Sequence, residues 1–508
     1  MMKSLTVKCM LWCLVAVFLT GCATQPLPSD PGDSSQNPVK DPVSLQSLFK
    51  KQIGTLWYGI YLEDVKIGWA RVRRDVDPAF SSSPNAFRIH KHYDIRLLIN
   101  GYRHHLAYRY GLWFDAKPPY ALDRFELFER INDLSVKKSM LRKGDVYQRT
   151  VMEDGKRVKL QDRQISYTLK DELALETWIR EQPKVGDTIY LHFIDSDSLL
   201  RDSGVAKVIG MEIQPANGHR TKTYEITQSV MLQEKETSVY SDDLTLLVHK
   251  LSAGFELRKE TRDSAQTGIG DVDLYVKFML PIDQPLGGSD AVQRVKLAVG
   301  ERTGALLTDA TGQRVEKDSS GSGFVVTLET KEDFRESVVA DDQRLYLKIP
   351  PAMRINGASL LKSAQKAVAG TETPEEKIER LLKFVDEAVE DSNEVLSPGL
   401  KYLLDQPKGD CSEHASLFEA LARSMGIPCR QVSGLVYMGD WAQSFGLHAW
   451  NEVMLDGYWK PVDPIAQQFE LPPLYIRFPL DSDQSDQLIR SIQKMNIKVM
   501  EVTHFESD

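Results

Sequence analysis

Three residues able to carry covalent acyl chemistry occur in order near the end of this 508-residue chain: Cys411, His448 and Asp463. A thiolate attacks a carbonyl, an imidazole moves the proton, and a carboxylate holds the imidazole tautomer and stabilises its charged form. The cysteine stands in Gly409-Asp410-Cys411-Ser412-Glu413-His414-Ala415, and apolar residues Leu417, Phe418, Leu421, Ala422 and Met425 lead on to Gly426-Ile427-Pro428. Asp410 is a natural N-cap with Glu413 three residues on, and Gly426 followed closely by proline is a stop, so the spacing predicts a helix from Cys411 to Met425. Cys411 then lies in the first turn, where the positive end of the helix dipole is expected to favour thiolate and lower its pKa. It shares a helix face with Ala415, Phe418 and Ala422, which places its sulfur at the edge of the core.

The partner residues need a strand pair. His448 opens the run His448-Ala449-Trp450-Asn451-Glu452-Val453-Met454-Leu455, Asp456-Gly457 supplies a two-residue turn, and Tyr458 to Asp463 returns. If Leu455 faces Tyr458, Asp463 faces Trp450, and His448 lies two residues further along on the same face. His448 and Asp463 are then diagonal neighbours at about 7 to 8 Å between backbones, within side-chain reach. Pro461 falls opposite Glu452 at a position where its missing N–H is not required.

These residues resemble the transglutaminase-like superfamily. The match rests on the Cys411 block with Ala420-Leu421-Ala422-Arg423 and Gly426-Ile427-Pro428, on His448-Ala449-Trp450 with Glu452-Val453, and on Trp459 through Pro461 to Asp463-Pro464. The resemblance covers about residues 350 to 470. It implies an α+β papain-like core, the triad Cys411, His448 and Asp463, and attack on an amide carbonyl to form an acyl-thioester passed to an amine or to water. It implies no cofactor. The substrate expected is a protein or peptide bearing an amide group, and the rival reading is a catalytically silent binding or scaffold lipoprotein that keeps the fold.

Other roles for the same residues fit less well. A zinc site from Cys411, His414, Cys429 and His448 has suitable ligand types at an atypical spacing, so no metal is expected. A Cys411–Cys429 disulfide is opposed by the intervening helix, roughly 22 Å long, which leaves Cys429 as a small core residue opening the strand Arg430 to Tyr437. His414 is assigned no role. Trp441 and Trp450 are candidates for a substrate-binding groove, with core packing the alternative, and Met438 to Leu447 is a candidate loop over the site.

Composition sets the frame. With 42% hydrophobic and 27% charged residues and a net charge of −9, the chain is an ordinary folded one; wholesale disorder, a multispan membrane protein and a basic nucleic-acid binder are excluded. Residues 1–21 read as a signal peptide, with Lys3 and Lys8 before an apolar run too short to span a bilayer. Leu19-Thr20-Gly21-Cys22 closely resembles the lipobox of bacterial lipoproteins, which implies lipidation at Cys22 by acyl chains such as palmitate and loss of Cys9 and Cys13. Ala23 resembles the outer-membrane sorting preference, so the expected location is the cell envelope, on the periplasmic face of the outer membrane.

The remaining organisation is read from pattern. Residues 22–48, with five prolines between Ala23 and Leu48, read as a flexible tether. Residues 49–282 read as an antiparallel β-rich domain: Phe87, Ile89, Tyr93, Ile95 and Leu97 alternate with polar residues, Asn100-Gly101 and Asp154-Gly155 signal hairpins, and a short helical insertion falls at Asp171 to Glu181. The polar face gathers His90, His92 and His105 without the spacing of a metal site, and reads as solvated. This domain is the candidate surface for an envelope protein partner. Pro281 to Gly288 reads as a linker, 290–349 as a small β-subdomain or connector, and 350–508 as the catalytic domain, with a helix from Pro374 to Glu390. The fold class expected is thus multidomain, a β-rich antiparallel N-terminal region followed by an α+β transglutaminase-like core.

Overall fold

Alternation of apolar and polar residues over two hundred positions builds one large antiparallel sheet. In the computed structural model its strands are β1 Gly54–Leu62, β2 Val65–Asp77, β3 Ala86–Ile99, β4 Tyr102–Phe114, β5 Leu122–Ile131, β6 Leu134–Lys143, β7 Val146–Glu153 and β8 Lys156–Lys159. Six more follow: β9 Thr188–Ile194, β10 Arg201–Ala216, β11 His219–Val230, β12 Glu236–Ser241, β13 Leu246–Lys250 and β14 Phe255–Glu260. The order is β8 through β1, then β14 down to β9, so two meanders join where β1 pairs β14. The structure describes residues 42–505 apart from 79–84, 100, 133, 154–155, 197, 217–218, 231–235, 252–253, 331–335, 337–343, 350–357, 393–402, 405–406, 481–487, 489–491 and 493–494. The signal, the lipobox with Cys22, Asn100 and Asp154-Gly155 lie outside the described residues. The chain divides into two compact units near Val272 and Asp273.

In the N-terminal unit, Phe87, Ile89, Tyr93, Ile95 and Leu97 are all buried, as their alternation predicts. The helical insertion forms as two short helices, Leu169–Glu172 and Ala174–Arg180. One expectation fails. Residues 42–48, read as the end of the tether, begin a helix Pro42–Lys51 whose Leu45, Leu48 and Phe49 enter the same core as Phe87, Leu112 and Phe114. Three apolar residues at helical spacing outweigh the surrounding polar composition. The histidine face also differs from a solvated one. His105 Nε2 bonds Asp94 at 2.9 Å, while His90 and His92 stand edge-on to Trp113 and Trp69 with ring centroids 5.2 and 4.7 Å apart.

The C-terminal unit has further strands: β15 Leu280–Pro281, β16 Val292–Gly300, β17 Gln313–Lys317, β18 Gly323–Glu329, β19 Glu390–Asp391 and β20 Lys408–Gly409. They are followed by β21 Cys429–Tyr437, β22 Ser444–Leu455, β23 Tyr458–Asp463, β24 Gln468–Phe469, β25 Tyr475–Arg477 and β26 Ile497–His504. The helix Pro374–Ala388 has its predicted Thr373 cap, and it buries Ile378, Leu381, Leu382 and Val385 against Phe418 and Leu421 of the helix Cys411–Ser424. The latter lies on β21 and β22 of the sheet β24-β23-β22-β21-β25. Two boundaries shift. The supposed linker after Pro281 is packed: β15 pairs β22, and Ile282 and Leu286 are buried because the Pro- and Gly-rich stretch still carries apolar residues that the site sheet covers. The small β-subdomain is completed by β26 from the end of the chain, in the order β17-β18-β16-β26, so it is not a separate connector.

Candidate active site

Local rules place the nucleophile. Asp410 Oδ1 accepts the Ser412 amide at 2.8 Å and Glu413 Oε2 accepts the Asp410 amide at 3.2 Å, so the capping box starts the helix with Cys411 as its first residue. Ser412, Glu413 and His414 are buried, while Cys411 remains partly exposed. His414 Nδ1 donates to the Asp410 carbonyl at 2.9 Å, one turn back in its own helix.

The strand pair follows the predicted register. Leu455 faces Tyr458, Glu452 faces Pro461 and Asn451 faces Val462, with Asp456 and Gly457 both at positive φ in the turn. His448 Nε2 meets Asp463 Oδ2 at 2.7 Å. The Cys411 sulfur is coupled electrostatically to the same ring and is favoured as thiolate by the Ala449 amide. With Nε2 on Asp463, Nδ1 is the nitrogen left for the thiol.

Electrostatics refine this picture. Burial opposes charge on His448, but Asp463 and the Cys411 sulfur outweigh it and push the ring up to about 10. Burial alone would raise Asp463; the charged His448 ring, Tyr475 and the Ala466 amide instead hold its carboxyl below the usual range. The thiol departs from expectation. Burial and the adjacent Asp410 carboxylate push Cys411 up, against His448 and the Ala449 amide, which pull it down. The residue that caps the helix brings a negative charge beside the sulfur, so the imidazolium is needed to offset it.

Several contributors were not legible beforehand. Tyr475 on β25 donates to Asp463 Oδ2 at 2.9 Å, and the Ile465 and Ala466 amides donate to Oδ1 at 3.0 and 3.3 Å. Gly434 stands opposite His448; a Cβ there would meet the Ile476 carbonyl at 2.0 Å, so its absence lets β25 approach and deliver Tyr475. Asn451 Nδ2 donates to the Ala415 carbonyl at 3.0 Å and ties β22 to the cysteine helix. A polar residue inside an apolar strand was the available signal. Arg430 and Arg477 grip Glu452 at 2.6 and 3.0 Å, with Arg430 4.0 Å from the Trp459 ring centroid, and so lock β21, β22 and β25 together.

The remaining candidates divide. Trp450 is 2% exposed and packs with Val432 and Leu471, its ring stacked 6.1 Å from His448; core packing wins over a groove. Trp441 is 83% exposed on the turn between β21 and β22. That turn is fastened: the Gln443 carbonyl accepts the Ile282 amide at 3.0 Å, and Asp440 accepts the Gly287 amide at 3.1 Å. Cys429 is buried and free at the start of β21, its thiol pushed far up by burial, and Cys411 is also free.

Comparison with known proteins adds a family. Residues 362–464 match the transglutaminase-like superfamily. A cysteine-protease candidate from Cytophaga hutchinsonii aligns at 15% identity and a TM-score of 0.25, covering 43% of this chain and 89% of its own. A β-barrel-like protein from Brucella abortus, with a domain of unknown function, aligns at 10% identity and a TM-score of 0.29, covering 41% of this chain and 94% of its own. No curated protein matches. Within this two-unit chain, residues 362–464 are a transglutaminase-like domain.

Proposed function

We propose that the chain is an envelope-anchored thiol enzyme that attacks an amide carbonyl through Cys411. His448 takes the thiol proton, and the sulfur adds to the carbonyl carbon of a protein or peptide substrate. The Cys411 amide at the helix start supplies one hydrogen bond to the developing oxyanion. His448 returns the proton to the departing amine as the C–N bond breaks, leaving a thioester. An amine or water then attacks that thioester, giving transfer or hydrolysis. Asp463, steadied by Tyr475, keeps the ring oriented through both halves and stabilises its charged form whenever it carries the proton. Trp441 supplies an exposed apolar surface for the acyl group.

The observation that carries this reading is the 2.7 Å His448–Asp463 bond on a ring that is coupled electrostatically to the Cys411 sulfur. Mass spectrometry of a glutamine peptide incubated with the full chain, with and without an amine, tests it. A product mass of transfer, deamidation or cleavage that Cys411→Ala abolishes is expected. A product that survives Cys411→Ala overturns the reading. Anchoring rests on Leu19-Thr20-Gly21-Cys22. Metabolic labelling with palmitate should mark the wild type and not Cys22→Ala; equal labelling removes that part.

A further inference from the structure

Outside the triad, the N-terminal unit holds a cavity of about 930 Å³ on the sheet face opposite its core, over β1–β6 and beside the helix Arg262–Gln266. Strand register composes its wall. Trp57 faces Arg71, which faces His92; on the other half, Arg109 faces Phe128, which faces Lys137. Rings and cations thus alternate in rows across the sheet. Gly111 lines the cavity without a side chain, and a Cβ there would meet the Trp113 ring at 2.4 Å.

Three of the charges here lack counterions among the described residues, whereas Lys91 pairs with Glu172 at 3.1 Å. Among the described residues Glu126 is the only carboxylate in the lining, and it already lies 3.6 Å from Lys137 and 3.9 Å from Arg124. Arg73 pairs with Asp75 at 2.7 Å. Among the described residues, no carboxylate pairs with Arg71, Arg109 or Arg262. Their neighbours are ring faces: Trp57 lies 5.7 and 5.6 Å from Arg71 and Arg262, and Phe128 lies 5.8 Å from Arg109. Burial and the neighbouring arginines oppose the charge on Arg71, and burial with Arg109 and Arg71 pushes His92 down to about 4, leaving it neutral. The buried Nε2 atoms of His90 and His92 have no hydrogen-bond partner among the described residues. Like charges gathered in a recess raise the local concentration of anions, and the flat aromatic rings offer stacking.

We propose that this cavity binds a small organic anion, a phosphate or carboxylate carried on an aromatic ring or on a sugar ring with an apolar C–H face. The anion lies between Arg71, Arg109 and Arg262, and the ring stacks on Trp57 or Trp69. This site is independent of the chemistry at Cys411.

Isothermal titration calorimetry on the full chain tests it with 1-naphthyl phosphate, glucose 1-phosphate, inorganic phosphate and 1-naphthol. At least one ring-bearing phosphate should bind about tenfold or more tighter than either inorganic phosphate or 1-naphthol, and the two ring types separate an aromatic from a sugar source. The double variant Arg71→Gln, Arg109→Gln should weaken it by about tenfold or more while leaving Cys411 alkylation unchanged. Should that variant fail to fold, Arg262→Gln on the surface helix and a rise from about 50 to about 300 mM salt must each weaken binding. The proposal is overturned if no ring-bearing phosphate binds at millimolar concentration, if 1-naphthol binds as tightly, or if neither the arginine variants nor salt change the affinity.

Discussion

Replacing Asp463 by Asn removes the charge facing His448 at 2.7 Å while keeping an oxygen for the Ile465 and Ala466 amides. In the folded chain burial works against a charged ring, and Asp463 is the foremost group favouring it, ahead of Cys411. A ring pushed from 6.5 up to about 10 holds its proton by ~5 kcal/mol more than a free imidazole, at ~1.4 kcal/mol per tenfold change in affinity. Assigning Asp463 the larger part gives ~3 kcal/mol, a hold on the ring's proton about a hundredfold weaker, which disfavours the thiolate–imidazolium pair against thiol and neutral imidazole by up to the same factor. The thiol then loses the imidazolium field while burial and Asp410 continue to push it up. Iodoacetamide alkylation of Cys411, followed between about pH 6 and pH 10, should slow by about a hundredfold at neutral pH and recover only as the thiol ionises unaided. Buried Cys429 serves as the internal control. Stability moves with the same groups. The raised His448 contributes stability that is complete below its unfolded value of 6.5 and is lost as pH rises through about 10. The depressed Asp463 contributes stability above its ordinary 3.8 that is lost as pH falls. Asp463→Asn should flatten both limbs in calorimetric melts. An unchanged alkylation rate and pH profile in Asp463→Asn would refute the coupling of ring to thiol.

Other perturbations have distinct signatures. Tyr475→Phe leaves Asp463 one donor short and should lower stability by ~1–3 kcal/mol in calorimetry, with alkylation slowed less than in Asp463→Asn. Glu452→Gln leaves Arg430 and Arg477 facing each other with the partly exposed Glu336 as their remaining carboxylate, a cost of ~3–5 kcal/mol on thermal unfolding. Phe49→Ala, in the helix that replaces the expected tether end, should cost the N-terminal unit ~3–5 kcal/mol; hydrogen exchange of β3 and β4 would register it, whereas a true tether residue would leave exchange unchanged.

Legibility in the sequence tracked the range of the interactions. Asp410, Glu413 and the Asp456-Gly457 turn act within a few residues, so the helix start and the strand register could be read and His448 brought to Asp463 on paper. Tyr475 could not, because it arrives through pairing of β25 with β21 across Gly434, a contact that no local pattern encodes. The thiol is pushed up for a related reason: burial of the sulfur and the carboxylate that caps the helix both oppose the thiolate that the helix dipole favours. The β-rich region showed its strands plainly and its order poorly, since β1 beside β14 and β26 beside β16 are joins between distant segments. The same distance hid the cavity. Trp57, Arg71 and His92 sit on three strands, each looking like one residue of a wet face until register places them in a row.

The central claim is a covalent thioester at Cys411, and intact-mass spectrometry of the full chain after acid quench tests it most directly. Incubation with a glutamine peptide should add the acyl mass to the wild type, with the adduct on the Cys411 tryptic peptide, labile to hydroxylamine, and absent from Cys411→Ala. An adduct retained in Cys411→Ala, or turnover of the peptide with hydroxylamine trapping no acyl group from Cys411, would contradict the account.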